Sequence, residues 1–331
     1  MRIGLTYDLQ TESGSPLQAE YDPPQTVEAI TRALRRAGCA VVPLGSADAL
    51  LRVLTTQARA LDLVFNIAEG RRGRCRESWV PSLLELAGVP YTGSGPAALS
   101  LALDKVVTKR LCEGEGIPTP RWTHVAPGQA FCLPPSLRFP LIVKPRHEGS
   151  AMGIDAGAVV RDRATLAARV RWLASVCHAP VLIEEFIAGG EATVCLIGND
   201  PPEPLPVIQR PLDSSTGLAW HVGDASRRDP ATAVVPMTIT PALEAELQRC
   251  AAAVFTLLGC RDVARVDFRI DESGRPFVLE INPLPNLAPD DSFGLLGESL
   301  GIGYDGMIRR ILDAALTRLH RASITSTPHL S

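Results

Sequence analysis

Alternation of apolar and polar positions is clearest between residues 264 and 282. Two alternating runs, 264–270 and 276–282, flank Asp271-Glu272-Ser273-Gly274, a turn composition, so the segment predicts a β-hairpin. Val266, Phe268 and Ile270 fall on one face with Phe277, Leu279 and Ile281, while Arg265, Asp267 and Arg269 fall on the other with Glu280 and Asn282. Nearer the start, residues 2–9 and 39–44 read as strands. A helical period over 24–37, with Val27, Ile30 and Leu34 on one face, stops at Gly38. A third strand over 61–67 and a helix over 77–87 complete a βαβ alternation, which implies a small open parallel sheet with ligands at the strands' carboxyl ends.

The middle of the chain changes character after the breaker-rich stretch 89–96, VPYTGSGP. One helix is predicted over 97–113, carrying Lys105 and Lys109, then strands over 122–125 and 139–143, the latter delivering Lys144 into a glycine-bearing turn, 146–154. A helix over 162–176 and strands over 179–186 and 191–197 follow. Residues 199–236 read as irregular and proline-rich, a lid or binding loop that holds Arg210, Trp220, His221, Arg227 and Arg228. Helices are expected over 242–258, near 293–300 and over 304–320, with a frayed tail at 321–331.

With 331 residues, 46% hydrophobic and 21% charged, the chain can bury a large core divided into two or three domains. A net charge of -3 gives no basic footprint for nucleic acid, and no apolar run is long enough to span a bilayer. The start runs directly into a strand, which leads us to expect a cytoplasmic protein. Eight scattered cysteines without a CxxC pair read as buried small hydrophobes, and the histidines form no zinc pattern.

Chemistry enters through the polar face of the hairpin. Two carboxylates, a carboxamide and a guanidinium on one face suit a Mg²⁺ ion with an anion-binding group beside it; the alternative is a merely solvated sheet face. Only Lys105, Lys109 and Lys144 among the 33 basic residues are lysines, as if a compact ammonium were needed at those places. Lys144 precedes glycines that let backbone N–H groups close on phosphate, although the pattern is not a P-loop. Glu69, at the edge after the third strand, could hold a substrate amine or be solvated.

Together LDKVVTKRL, IVKPRHEGS, the IEEFI strand with Glu191 beyond it, RVDF and LEINP resemble the ATP-grasp superfamily, and within it the D-alanine:D-alanine ligase-like family. The resemblance implies an α/β (α+β) ATP-grasp fold: an N-terminal open parallel α/β domain (1–95) and two α+β subdomains (96–187 and 188–320) that sandwich ATP. It further implies an ATP-dependent carboxylate–amine ligase working through an acyl phosphate. Lys105 and Lys144 match phosphate contacts; Glu184, Glu185 and Ile187 match the adenine-binding strand, and Glu191 the ribose carboxylate. Asp267, Glu280 and Asn282 match ligands of Mg²⁺, with Mn²⁺ as an alternative. Arg265 matches the arginine beside the reacting carbonyl, and Ser150 the serine that places substrate and flap.

The departures concern substrates. Glu20 or Asp22 is only a rough match to the usual amine-binding glutamate, and Glu69 stands where the family often has histidine. The lid loop lacks the usual tyrosine and lysine, for which Arg210, Arg227 or Arg228 could substitute. Past Asn282, Asn286 and Ser292 remain as candidates for the second substrate. A different carboxylate and amine pair, amino acids among them, is therefore expected, with a homodimer as the default. A D-alanine:D-alanine ligase proper and a non-catalytic nucleotide-binding module are the other readings.

Overall fold

The computed structural model describes the chain except residues 13, 14, 16, 17, 58–60, 130, 178, 220–233 and 326–331. Three sheets follow one another along the sequence, and each is dictated by a different apolar pattern. The first holds β1 (Arg2–Thr6), β2 (Ala40–Gly45) and β3 (Leu63–Asn66), parallel, in the order β2-β1-β3. Its crossovers are α1 (Pro24–Arg36) and α2 (Ala47–Gln57), the latter not foreseen; α3 (Trp79–Ala87), entered through a 3₁₀ turn at Arg76–Ser78, follows. Ile3, Leu5, Leu63 and Phe65 are fully or almost fully buried, as a parallel sheet covered by its crossover helices requires.

The single helix expected over 97–113 is two helices, α4 (Pro96–Leu103) and α5 (Lys105–Gly114). Asp104 breaks it by adopting an extended conformation (φ -90°, ψ 93°) and capping α5, its Oδ1 accepting from the backbone N–H groups of Val106 (3.1 Å) and Val107 (3.3 Å). The break puts Lys105 at the first helical position.

The second sheet is antiparallel, β4-β7-β5-β6, from β4 (Trp122–Val125), β5 (Leu141–Pro145), β6 (Val159–Val160) and β7 (Val181–Glu185), with α6 (Arg163–Cys177) on its inner face. The third contains β8 (Gly190–Gly198), β9 (Pro202–Pro204), β10 (Ile208–Arg210), β11 (Asp262–Ile270) and β12 (Pro276–Asn282). β9 and β10 lie in the stretch expected to be irregular. Both pair with β8, and the prolines of β9 sit at the sheet's margin, where a missing N–H is tolerated. α7 (Pro241–Leu257) buries Leu247, Ala251, Val254 and Phe255 against this sheet.

β11 and β12 form the expected hairpin with one correction. The pairing is Asp267 with Glu280 but Phe268 with Val278, so Leu279 is an extra residue. The bulge shifts the alternation. Val278 and Ile281, not Phe277 and Leu279, join Val266, Phe268 and Ile270 in the core.

α8 (Ser292–Ser299) and α9 (Gly303–Thr325) close the fold, α9 extending past the expected start of the frayed tail. Met307, Ile308, Ile311 and Leu312 of α9 share a core with Ile30 and Leu34 of α1, tying the chain's end to its first sheet. The polar counterpart of that tie is Asp262, fully buried, with a left-handed φ of 64°. It accepts from Arg318 Nε (2.8 Å) and Nη2 (2.7 Å), the Gly93 backbone N–H (2.9 Å) and Asn199 Nδ2 (3.0 Å). Among the described cysteines, Cys39, Cys112, Cys195, Cys250 and Cys260 are buried, Cys75 and Cys132 exposed, and all are free. No described helix is long and apolar enough to cross a membrane.

Replacing Asp262 with Ala removes the counter-charge of the Arg318 guanidinium and the acceptor of two further donors, the Gly93 N–H and Asn199 Nδ2. The expected loss is about 3–5 kcal/mol of stability, read as a lower urea midpoint.

Candidate active site

The outer face of the β11–β12 hairpin is not simply wet. Asp267 Oδ2 accepts from Arg265 Nε (3.1 Å) and Nη2 (3.0 Å) and from Asn282 Nδ2 (3.1 Å), and its Oδ1 accepts from Thr193 Oγ1 of β8 (2.7 Å). Thr193 in turn accepts from Arg210 Nε of β10 (3.2 Å), whose Nη2 reaches Ser292 Oγ (2.5 Å) and Asp291 (3.4 Å). Burial disfavours the Arg265 charge, yet Asp267 and Asp291 more than compensate and raise its pKa.

Above the hairpin stand all three lysines. Lys105 Nζ lies 3.0 Å from Glu280 and donates to the Glu148 carbonyl (2.7 Å). Lys109 and Lys144 each approach one oxygen of Glu184 at 2.9 Å, and all three side chains are almost completely buried. Neither Glu184 oxygen has a donor in good angular alignment, so the contact is carried by charge. Burial pushes both acids up, but the ammonium groups win: Glu184 lies below the usual carboxylate range, held by Lys109 and Lys144, and Glu280 falls to about 2, held by Lys105 and Lys144. Glu280 is therefore ionised at neutral pH.

The N-terminal region closes the front. Glu20 takes a two-point contact from Arg76 (3.0 and 2.8 Å) and accepts from the Gly149 backbone N–H (3.0 Å). A Cβ at position 149 would lie 2.6 Å from Glu20 Oε1, so only glycine permits this approach. Arg76 also contacts Glu148 (3.3 Å) and the His147 carbonyl (3.2 Å). Behind the turn, Asp104 accepts from Arg146 through both oxygens (2.7 Å each); despite its burial, His147 and Arg146 hold its pKa far down. A small cavity opens among Glu20, Glu69, Glu77, Lys105, Glu280 and Asn282.

The sequence-predicted residues thus divide. Lys105, Glu20, Glu69, Glu280 and Asn282 line one cavity; Arg265 and Asp267 adjoin it through Asn282. Ser150 is exposed at the rim in a left-handed conformation (φ 45°), next to Gly149. The side chain of Glu184 is committed to lysines rather than open to a base. The Ile187 carbonyl accepts from Arg269 Nε (2.9 Å), and Arg269 pairs with Glu191 (3.2 Å). Glu185 accepts from the Arg138 backbone N–H (2.9 Å). Asp22, Asn286 and Ser292 are not among the cavity's lining residues: Asp22 bridges to Leu9, Asn286 accepts from the Ala288 N–H (2.7 Å), and Ser292 is buried against Asp291 and Arg210. Trp220, His221, Arg227 and Arg228 lie outside the described residues.

Lys109, Arg76, Arg269 and Glu77 were missed as site residues. The lysine count pointed to Lys109 and the hairpin's alternation put Arg269 on the polar face without giving it a role; nothing distinguished Arg76 among thirty arginines. Asp267, Glu280 and Asn282 sit side by side across the strand pair and offer hard oxygen donors, so the set fits a magnesium ion.

Two antiparallel sheets whose lysines and carboxylates meet in this way, fronted by a parallel α/β sheet, define an ATP-grasp ligase, an ADP-forming enzyme that makes a carbon–nitrogen bond. The chain belongs to the family described as "D-ala D-ala ligase C-terminus", whose model matches residues 111–313. It is 38% identical over 263 residues to "Uncharacterized protein y4sG" of Sinorhizobium fredii, covering 79% of this chain and 76% of that protein. It is 35% identical over 299 residues to a D-alanine--D-alanine ligase of Syntrophotalea carbinolica, covering 89% and 91%. The fold matches the crystal structure of D-alanine--D-alanine ligase from Bacillus anthracis complexed with ATP, with a TM-score of 0.77, 23% identity and coverage of 98% and 99%.

Two variants probe these electrostatics. Glu184→Gln removes the carboxylate that the buried Lys109 and Lys144 share and is expected to cost about 3 kcal/mol or more, measured by urea unfolding. Asp22 is pushed up to about 7 by burial and then by Asp8, so the folded state holds a proton that the unfolded state releases near pH 4. Stability therefore falls as pH rises from about 4 to 7 and stays low above. Asp22→Asn should raise Tm by several degrees at pH 8 and by almost nothing at pH 4, as checked by calorimetry at both.

Proposed function

We propose that the protein is an ATP- and Mg²⁺-dependent ligase that joins a carboxylate to an amine through an acyl phosphate, and that its substrate pair differs from two D-alanines. The observation that carries the reading is the hydrogen-bonded set Arg265, Asp267 and Asn282, with Glu280 reaching up to Lys105. In this reading Lys105 and Lys144 hold the phosphates in line, with Lys109 and Glu184 fixing the ammonium of Lys144. Asp267, Glu280 and Asn282 would hold magnesium, which shields the phosphate oxygens during transfer. The Arg265 guanidinium, kept charged by Asp267, stabilises the oxyanion that forms when the amine attacks the activated carbonyl.

With Glu184 engaged by lysines, adenine recognition falls to the backbone of residues 184–187 and to Glu185. Glu191, tethered by Arg269, takes the ribose. Ser150 places the first substrate at the rim, and Arg210 serves in place of a lid lysine, with its partners Ser292 and Asp291 at the second substrate. Asp22 and Asn286 act as supports of their loops.

The changed substrate pair is supported by the cavity wall. Glu20 is engaged by Arg76, while Glu69 and Glu77 stand beside it without counter-ions of their own. The relatives called D-alanine--D-alanine ligase favour the second reading, a ligase of two D-alanines. We further read the chain as a cytoplasmic homodimer with units 1–95, 96–187 and 188–320 and a tail from 321.

Mass spectrometry of products formed from ATP, Mg²⁺ and a pooled amino-acid and amine library tests the reading. A new amide together with ADP is expected. ADP release dependent on D-alanine alone, at ordinary enzyme rates, would establish the second reading instead. Arg265→Ala is expected to lower kcat by about 10² to 10³ while leaving nucleotide affinity within a few-fold, a split measured by steady-state kinetics and nucleotide titration.

A further inference from the structure

Glu77 has no part in the reaction as derived, and its position is costly. It is only 8% exposed, it lines the cavity, and it has no hydrogen-bond or ion-pair partner among the described residues. A carboxylate in such a place normally has a donor or is replaced by an apolar residue. Glu69 shares the cavity and likewise has no partner among the described residues. The nearby cations are engaged elsewhere: Arg76 by Glu20 (2.8 Å) and Glu148 (3.3 Å), Lys105 by Glu280 (3.0 Å).

We propose that this cavity selects a diamino carboxylic acid, with Glu69 and Glu77 each receiving one of its two protonated nitrogens. The proposal rests on the ligase reading and adds to it the class of the activated substrate. Two observations favour an organic dication. No group of three or more acidic, histidine or cysteine side chains that could hold a metal ion occurs among the described residues, so the spare acids are not arranged as a cation cage. Ala102, Leu103 and Leu284 line the same cavity and offer apolar contact to the methylenes between two nitrogens.

The geometry of the loop is consistent with acids held there on purpose. Gly70, with φ 78°, lets the chain after Glu69 pass so close to the Arg76 carbonyl that a Cβ would lie 2.4 Å from it. This close approach keeps Glu69 and the turn bearing Glu77 together, whatever their mutual repulsion.

The test uses the full-length enzyme with ATP and Mg²⁺. ADP release is followed with 2,4-diaminobutyrate, ornithine, lysine, arginine and alanine, both enantiomers of each, alone and in pairs, and products are identified by mass. One of the three diamino acids is expected to give a KM at least tenfold below that of alanine. Glu77→Gln and Glu69→Gln are each expected to raise that KM by about 10- to 100-fold with kcat changed no more than about twofold, which is the loss of one charge-assisted hydrogen bond. Calorimetric titration of the same amino acids into enzyme loaded with a non-hydrolysable ATP analogue reads the cavity without turnover. Alanine or arginine binding as tightly as every diamino acid, or either Gln variant binding the diamino acid unchanged, overturns the proposal. Absence of ADP release with every pair, alongside tight diamino acid binding, would instead defeat the ligase reading and leave this one standing.

Discussion

The site depends on one buried carboxylate held between two ammonium groups. Glu184 is fully buried, as is Lys109 to within 1%, and taking either charge out of water alone would cost several kcal/mol. Set between Lys109 and Lys144 at 2.9 Å, Glu184 compensates both, and in doing so ties α5, β5 and β7 into one unit. Lys109 passes the tie on. Its Nζ donates to Thr119 Oγ1 (2.6 Å), which donates to the Val278 carbonyl of β12 (2.9 Å). The second sheet is thereby fixed to the hairpin that carries Asp267 and Glu280. Lysine suits this place, because a compact ammonium on a flexible stem can meet each oxygen of the one buried carboxylate.

The long alternating runs were legible in the sequence, and the local decisions that aim side chains were not. The hairpin 264–282 announces itself because each apolar residue on β11 is two positions from the next. The register at Leu279 does not, because a bulge changes which residues face the core without changing their identity. The Asp104 break was hidden for a related reason: apolar periodicity runs through it, and only the side chain's bonds to two N–H groups and to Arg146 favour a cap over a continuous helix. β9 and β10 escaped because prolines mask short edge strands.

Among site residues the same division holds. Lys105, Lys144, Asp267, Glu280 and Asn282 stand in short motifs with chemistry written into their spacing. Arg76 and Arg269 act through partners 56 and 78 residues away in sequence, Glu20 and Glu191, so no local pattern marks those pairings, although alternation puts Arg269 on the hairpin's polar face. The lysines around Glu184 are not legible, because a strand sequence gives the face of a side chain and not what lies across from it.

The two halves of the site also differ in how freely they can change. On the nucleotide-facing side every charged group serves the fold as well: Glu184, Glu280 and Asp267 each hold at least one cation, and removal of any of them strands a buried charge. Glu77 holds nothing, and burial together with Glu20 pushes its pKa up to about 8, so its ionised form is a burden on the folded state. Neutralising it should leave the scaffold intact or firmer. A cavity wall built in this way can be remodelled toward another substrate without disturbing the lysine clamp. For the same reason an unpartnered acid there calls for a ligand to explain it, since the fold alone gives no reason to keep it.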